Sequence, residues 1–289
     1  MNKYFSLLLV ASLFVFSAFK SDKPAYSLFD KKGKLEKYEK MLKQLEDADI
    51  VLFGELHDNP ISHWLQLEVT KDLYALKGKN LVLGAEMFES DNQVIMDEYL
   101  SGKIAQRNFE AEIRLWPNYK TDYKPLVEFA KDSGLYFVAT NVPRRYASLV
   151  NSKGFDGLEE LSDEAKTFLP PLPPAYDSTL NCYASMMNME GMGSHVTPNF
   201  PKAQAIKDAT MAHFILKNWE PGKLFLHYHG AYHSQNFESI YWYLKQANPE
   251  LNILTIHSCM QDDVSELTEG NTGLADFTIC VDEDMTRTR

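Results

Sequence analysis

The 289-residue sequence is poor in cysteine, with three, and has no C-x-x-C pair, so nothing in it supports a zinc ribbon or a thioredoxin-type redox site. Bases are also scarce: 29 Lys and Arg stand against 40 Asp and Glu, for a net charge of −11. That sign opposes binding to a phosphate backbone, and no polybasic run offers a foothold on an anionic membrane, so a nucleic-acid partner is not expected. A Walker loop, H-E-x-x-H and G-x-S-x-G are all missing. Gly191-Met192-Gly193 fails the dinucleotide fingerprint because Val196 occupies the third glycine position.

Only one long apolar run is present, from Tyr4 to Phe19, preceded by Lys3 and closing on small residues. It reads as a secretory signal peptide over residues 1–19, which leaves residues 20–289 without a transmembrane span. No cysteine lies near its end, so a lipobox anchor is not expected; the expected location is exported, periplasmic or cell-surface associated. In such a compartment Cys259 and Cys280, near the ends of two strand-like runs, either pair or remain buried thiols.

With 45% hydrophobic and 24% charged residues, the remainder suits a globular core. Continuous apolar runs mark strands at Ile50–Phe53, Leu81–Ala85, Leu135–Ala139, Lys223–Tyr228, Leu251–Ile256 and Phe277–Val281. Helical spacing marks Lys34–Glu46, Ile61–Leu76, Asn92–Leu100, Tyr123–Asp132, Arg144–Val150, Ala203–Asn218 and Ser234–Gln246. Strand alternating with helix predicts a single α/β domain, a three-layer sandwich around a mostly parallel sheet. The rhythm breaks at about 156–200, where Pro170, Pro171, Pro173 and Pro174 precede Tyr176, Tyr183, Met186, Met187, Met189, Met192 and His195. A stretch this long predicts a helical or irregular cap inserted over the sheet.

Polar residues collect where strands end, which is where open α/β sheets bind ligands. Two segments share one pattern: Gly54-Glu55-Leu56-His57 and Gly230-Ala231-Tyr232-His233 are both Gly-x-x-His leaving an apolar strand. Glycine lets the chain turn sharply, and the imidazole three residues on can fold back over the strand end. Glu86 follows the second strand. His57, Glu86 and His233 therefore form a candidate ligand set for zinc, manganese, cobalt or iron. His227 and His229 share one strand face, either as core residues or as ligands, with His229 nearer the rim. His63 and His213 fall within helical patterns and read as structural.

The segments GELHDNP at 54–60, GAEMF at 84–88, Trp116 with Tyr123 and Pro125, NVPR at 141–144, DATMA at 208–212 and HGAYH at 229–233 resemble the ChaN-like haem-binding uptake family. Its superfamily also holds Tiki metalloproteases, TraB proteins and erythromycin esterases. The resemblance implies a capped three-layer α/β core, a pocket for iron porphyrin, and a site sometimes completed by a second subunit as a homodimer. It also implies a polar centre of His57, His233 and Glu86, with Glu55 inside the first motif.

A porphyrin needs an apolar slot, an axial donor and cations for its propionates. The candidate haem-binding residues are His57, Asn141, Arg144, Arg145, Tyr183, His229 and His233, with the cap methionines either in contact or simply packing. Arg144 and Arg145 either meet the propionates or begin a solvated helix. The competing reading is a metal-dependent hydrolase in which Glu55, His57, Glu86 and His233 carry catalysis: a bound ion would acidify its water and a free carboxylate would act as base. A third is a protein-binding scaffold.

Overall fold

The computed structural model describes residues 23–188 and 197–288. The expected signal segment 1–19 and the part of the cap holding Met189, Met192 and His195, with the Gly191-to-Val196 segment, lie outside the described residues.

Seven strands form one sheet: β1 Tyr26–Asp30, β2 Ile50–Glu55, β3 Leu81–Glu89, β4 Phe137–Asn141, β5 Leu224–Gly230, β6 Ile253–Gln261 and β7 Phe277–Asp282. Their order is β1-β7-β6-β2-β5-β3-β4, and every pair is parallel except β1 with β7. The chain moves from β2 out to β3 and β4, then returns to insert β5 between β2 and β3. The carboxyl ends of these four strands thus meet at one rim.

Helices cover both faces: α1 Tyr38–Glu46, α2 Pro60–Lys77, α3 Gln93–Leu100, α4 Gln106–Glu112, α5 Lys124–Ser133, α6 Arg144–Lys153, α7 Asp156–Glu159, α8 Asp163–Lys166, α9 Asn181–Ala184, α10 Phe200–Asn218 and α11 Ile240–Ala247. Alternation along β2 divides the core. Val51 and Phe53 pack with Leu65, Val69 and Val127 of α2 and α5. Ile50 and Leu52 pack with Met211, Ile215 and Leu244 of α10 and α11. Both faces are buried, which is why the strand has no polar alternation to read. Among the described residues no helix is long and apolar enough to cross a membrane.

Several boundaries differ from expectation, each for a local reason. Strand β1 was not anticipated, and the expected helix from Lys34 begins at Tyr38, because Leu35 folds back to bridge Phe29. Leu135 caps α5, its N–H reaching Ala130 O at 2.8 Å, so β4 starts two residues later than expected. The expected helix from Ser234 begins only at Ile240: Asn236, Phe237 and Ser239 hold positive φ of 60°, 58° and 54°, a backbone no helix continues through. Helix α4 has too short an apolar pattern to have been found.

The segment from α7 to α9 packs against α6 and α10. Leu158 and Leu169 join Tyr146 and Val150 of α6 and Ile206 of α10 in one cluster, and Cys182 and Tyr183 join Ala205 in another.

Gly84 of β3 fixes the contact with β5. A Cβ there would lie 2.7 Å from Cε1 of Phe225, a ring with 0% exposure. Gly84→Ala is expected to cost about 1–3 kcal/mol through overpacking, read from urea denaturation; an unchanged midpoint would show that the ring yields.

Candidate functional site

Each sequence motif at the rim is a strand end followed by a helix start. In the first, Glu55 ends β2, and Asn59 caps α2 by accepting hydrogen bonds from the Ile61 and Ser62 amides at 3.0 and 3.1 Å; Pro60 supplies the first helical residue. His57 lies between, so its turn is held from both sides. Its carbonyl accepts from Asn118 Nδ2 at 2.7 Å and contacts His63 Nε2 at 3.1 Å. The tail past β7 closes this loop from outside: Arg287 Nη1 donates to Asp58 Oδ1, the Thr288 amide to Asp58 O and Thr288 Oγ1 to Asp122 Oδ2, at 2.8, 2.9 and 2.8 Å. Asp122 in turn accepts from Asn118 at 2.6 Å.

The two Gly-x-x-His turns interlock. A Cβ on Gly54 would come 2.9 Å from Cα of Ala231, the backbone of the second turn; a Cβ on Gly230 would come 2.6 Å from Nε2 of His57, the histidine of the first. Each glycine vacates the volume that the other motif fills.

Glu55 is 1% exposed and saturated with donors. Its Oε1 accepts from Tyr123 Oη at 2.7 Å and from His57 Nδ1 at 2.9 Å, and its Oε2 accepts from Gln66 Nε2 at 2.5 Å. Burial works to raise its pKa, but the His57 hydrogen bond and the neighbouring imidazoles outweigh it and leave the carboxyl below its ordinary value. For His57 burial works downward, and Glu55 and Glu86 raise the imidazole above its ordinary value. With Nδ1 committed to Glu55, Nε2 lies beside Gly230, and the ring lines the cavity next to Trp116, whose ring centroid is 4.9 Å away.

His233 sits between two carboxylates. Nδ1 is 2.5 Å from Asp208 Oδ1 and Nε2 is 3.3 Å from Glu86 Oε1. Asp208 is anchored by Tyr183 Oη at 2.7 Å, and Glu86 by the Gly230 amide at 2.8 Å. Burial disfavours the imidazolium, yet Glu86 and Asp208 raise its pKa to about 10. Glu86, against the same burial, is held well below its ordinary value by His233. Asp208–His233–Glu86 is thus a buried triad that favours the imidazolium at its centre.

Beneath it, His227 and His229 stack with Nδ1 atoms 3.1 Å apart, and His227 Nε2 meets Thr140 Oγ1 at 2.7 Å. Burial pushes His227 far down, His229 to about 3 and His257 to about 4, so all three are neutral.

These groups floor a cavity of about 570 Å³ whose walls include Trp116, Val142, Met186 and Phe200, with Arg144 and Lys207 at its edge. The candidate residues therefore divide. Glu55, His57, Glu86, Asn141, Arg144 and His233 line the cavity. Arg145 does not: it pairs with Asp91 at 2.5 Å, as Arg114 also does. Tyr183 lies behind Asp208, and His229 is fully buried below the floor. Sequence reasoning missed Gln204, Lys207 and Asp208 as site residues, which α10 places on one face. The available signal was slight: Asp208 is the one acid in a helix whose other charged residues are lysines.

His57, Glu86 and His233 do not converge as a metal set. Among the described residues no group of three or more His, Cys, Asp or Glu is placed to hold an ion. Both nitrogens of His233 already face carboxylates, and an imidazolium has no lone pair to donate.

The model for haem-binding uptake proteins of the Tiki superfamily, ChaN, matches residues 41–244. The chain belongs to this family. ChaN of Campylobacter jejuni, solved for its cofacial haem binding, superposes with a TM-score of 0.64 at 16% identity, over 88% of this chain and 96% of that one, and so shares the fold. RETICULATA-RELATED 5, a chloroplastic protein of Arabidopsis thaliana, is 26% identical over 200 residues, 64% of this chain; the chain spans 26% of that protein's length. The ChaN-family fold thus carries a rim where five ionisable side chains, Glu55, His57, Glu86, Asp208 and His233, are fixed by hydrogen bonds before any ligand arrives.

The titrations have opposite signs. His227, His229 and His257 are depressed in the folded chain, so below about pH 6.5, the ordinary imidazole value, the unfolded chain binds more protons. Stability then falls with falling pH by about 1.4 kcal/mol per unit for each histidine. His233 is raised: its contribution is complete below the unfolded value and is lost as pH rises through about 10. Stability is therefore expected to peak near about pH 6.5 and decline on both sides, measured by urea denaturation at fixed ionic strength. A plateau down to pH 4 would contradict the buried neutral histidines.

Proposed function

We propose that this chain is an exported haem-binding protein of iron acquisition, holding the porphyrin between the rim of β2 to β5 and the segment that follows α6. The observation carrying this reading is the meeting, in one cavity, of three things a haem requires. His57 presents a ring nitrogen backed by Glu55 through Nδ1 at 2.9 Å, the arrangement that fixes the tautomer and raises the basicity of an iron-ligating histidine. Trp116, Val142, Met186 and Phe200 supply apolar wall, and Arg144 and Lys207 supply cations for propionates. When bound, haem would bring its iron to His57; this chain's part is to orient the axial imidazole and neutralise the propionates. A homodimer belongs to the proposal, with a second chain closing over the mouth of the cavity.

Hemin titrated into the chain is expected to give a saturable Soret shift that His57→Ala changes in position. Arg144→Ala with Lys207→Ala should weaken binding by about 10- to 100-fold, the loss of one or two charge-assisted hydrogen bonds. A response equal to that of an unrelated acidic protein would refute the reading.

One observation favours a second reading. Glu55 receives three donors and the adjoining triad keeps His233 protonated, an amount of electrostatic organisation beyond what an axial ligand needs. A Glu–His dyad lining a cavity can act as a general base on water, with the imidazolium nearby to steady developing negative charge. Hydrolysis of activated esters or peptides that persists in chelator and falls at least about 100-fold in Glu55→Gln and His57→Ala would establish it; rates equal to background would remove it.

A further inference from the structure

Cys259 of β6 and Cys280 of β7 stand directly opposite each other in parallel register. Residues so paired project to the same face, and neighbouring strands run about 4.8 Å apart, inside the Cα separation of roughly 4.4–6.8 Å that a disulfide spans. Both side chains lie in one small cluster with Phe29, Val264 and Leu267. Both are free, buried thiols here, and each alters the other: the Cys259 thiol is pushed up by Cys280 and by burial, and Cys280 is held below its ordinary value by Cys259. Cys182 is remote from them, packed beside Tyr183 and Ala205, with burial raising its thiol to about 12. The odd cysteine is thus the inert one, and the other two form a matched pair.

We propose that Cys259 and Cys280 form an intrachain disulfide, made by exchange with a protein or small-molecule disulfide as the chain folds. The Cys280 thiolate attacks one sulfur of the oxidant and expels the other as a thiolate, leaving a mixed disulfide. Cys259, deprotonated in turn, attacks the Cys280 sulfur and expels the second thiolate. Two protein thiols are oxidised, one disulfide is reduced to two thiols, and the two protons released by the cysteines end on those thiols. Burial sets the timing. Cys259 is 7% exposed and Cys280 is 0% exposed, so exchange belongs to the stage before β1 and β7 close over the pair, and the same burial afterwards keeps reductants out. The bond would staple β7 to β6, and β7 is the strand whose continuation brings Arg287 and Thr288 to the His57 loop.

The full chain, refolded from denaturant in reduced and in oxidised glutathione, then denatured and alkylated, tests this by mass spectrometry. After oxidative refolding a single alkyl group is expected, on Cys182, together with a digest peptide joining Cys259 to Cys280. The melting temperature should fall by several degrees when the bond is reduced, and Cys259→Ser with Cys280→Ser should abolish that redox dependence. Alkylation of Cys259 and Cys280 after oxidative refolding, or a link through Cys182, would overturn the proposal. Peptide mapping of the unsubstituted chain decides the matter even if the double variant does not fold.

Discussion

The rim depends on a mutual exclusion of volume. Gly54 has no side chain because the backbone of Ala231 occupies that space, and Gly230 has none because the imidazole of His57 does. A side chain at Gly54 would strike the backbone of the second turn and one at Gly230 would displace the His57 ring, so the two Gly-x-x-His motifs, about 175 residues apart in the chain, pack as one unit. Register explains how they find each other. Gly54 of β2 is paired with His229 of β5, so the strands deliver the two turns to the same height on the rim. The insertion of β5 between β2 and β3 also sets Glu86 beside Gly230, whose amide it accepts.

Electrostatics follows from that seating. Once Ala231 rests on Gly54, His233 is driven into the space between Glu86 and Asp208, where two carboxylates stabilise an imidazolium that burial alone would neutralise. A few ångströms below, His229 has no such partner, and the same burial strips its proton. The ring centroids of His229 and His233 are 6.5 Å apart, so the distance over which the protein reverses the charge of an imidazole is about one side chain. What decides the state is the placement of acids by α10 and β3, not depth from the surface.

Much of the frame could be read in the sequence, and the reason is physical. Strands buried on both faces are continuous apolar runs, and glycine at a strand end is a signal of close approach, so β2 to β7 and both motifs stood out. Arg144, Glu86 and the two motif histidines were legible because they sit one to five residues past such runs. What escaped was set by tertiary geometry. β1 joins the edge as an antiparallel strand with only Leu28 and Phe29 buried, so it lacks the continuous apolar run that marks the others. Lys207 and Asp208 reach the cavity floor and edge from a 19-residue helix far along the chain. Arg145 differs from Arg144 by one position, and that 100° step around α6 turns it from the cavity to Asp91.

That last displacement bears on how an acidic chain handles an anionic ligand. With 40 acids and 29 bases, carboxylates outnumber the cations available to them, and Asp91 alone takes Arg114 and Arg145. Bases able to serve a ligand must therefore be kept from the acids around them. Arg144 and Lys207 meet this requirement: both line the cavity, and Arg144 opens α6, where aligned peptide dipoles add to its positive potential. The floor below carries Glu55 and Glu86, each already matched to an imidazole, so the negative charge that dominates the sequence is locally answered. An anion in the cavity would meet two bases and acids already matched, Glu55 and Glu86 to imidazoles and Glu89 to Arg114, so the local arrangement of charge weighs more than the net value.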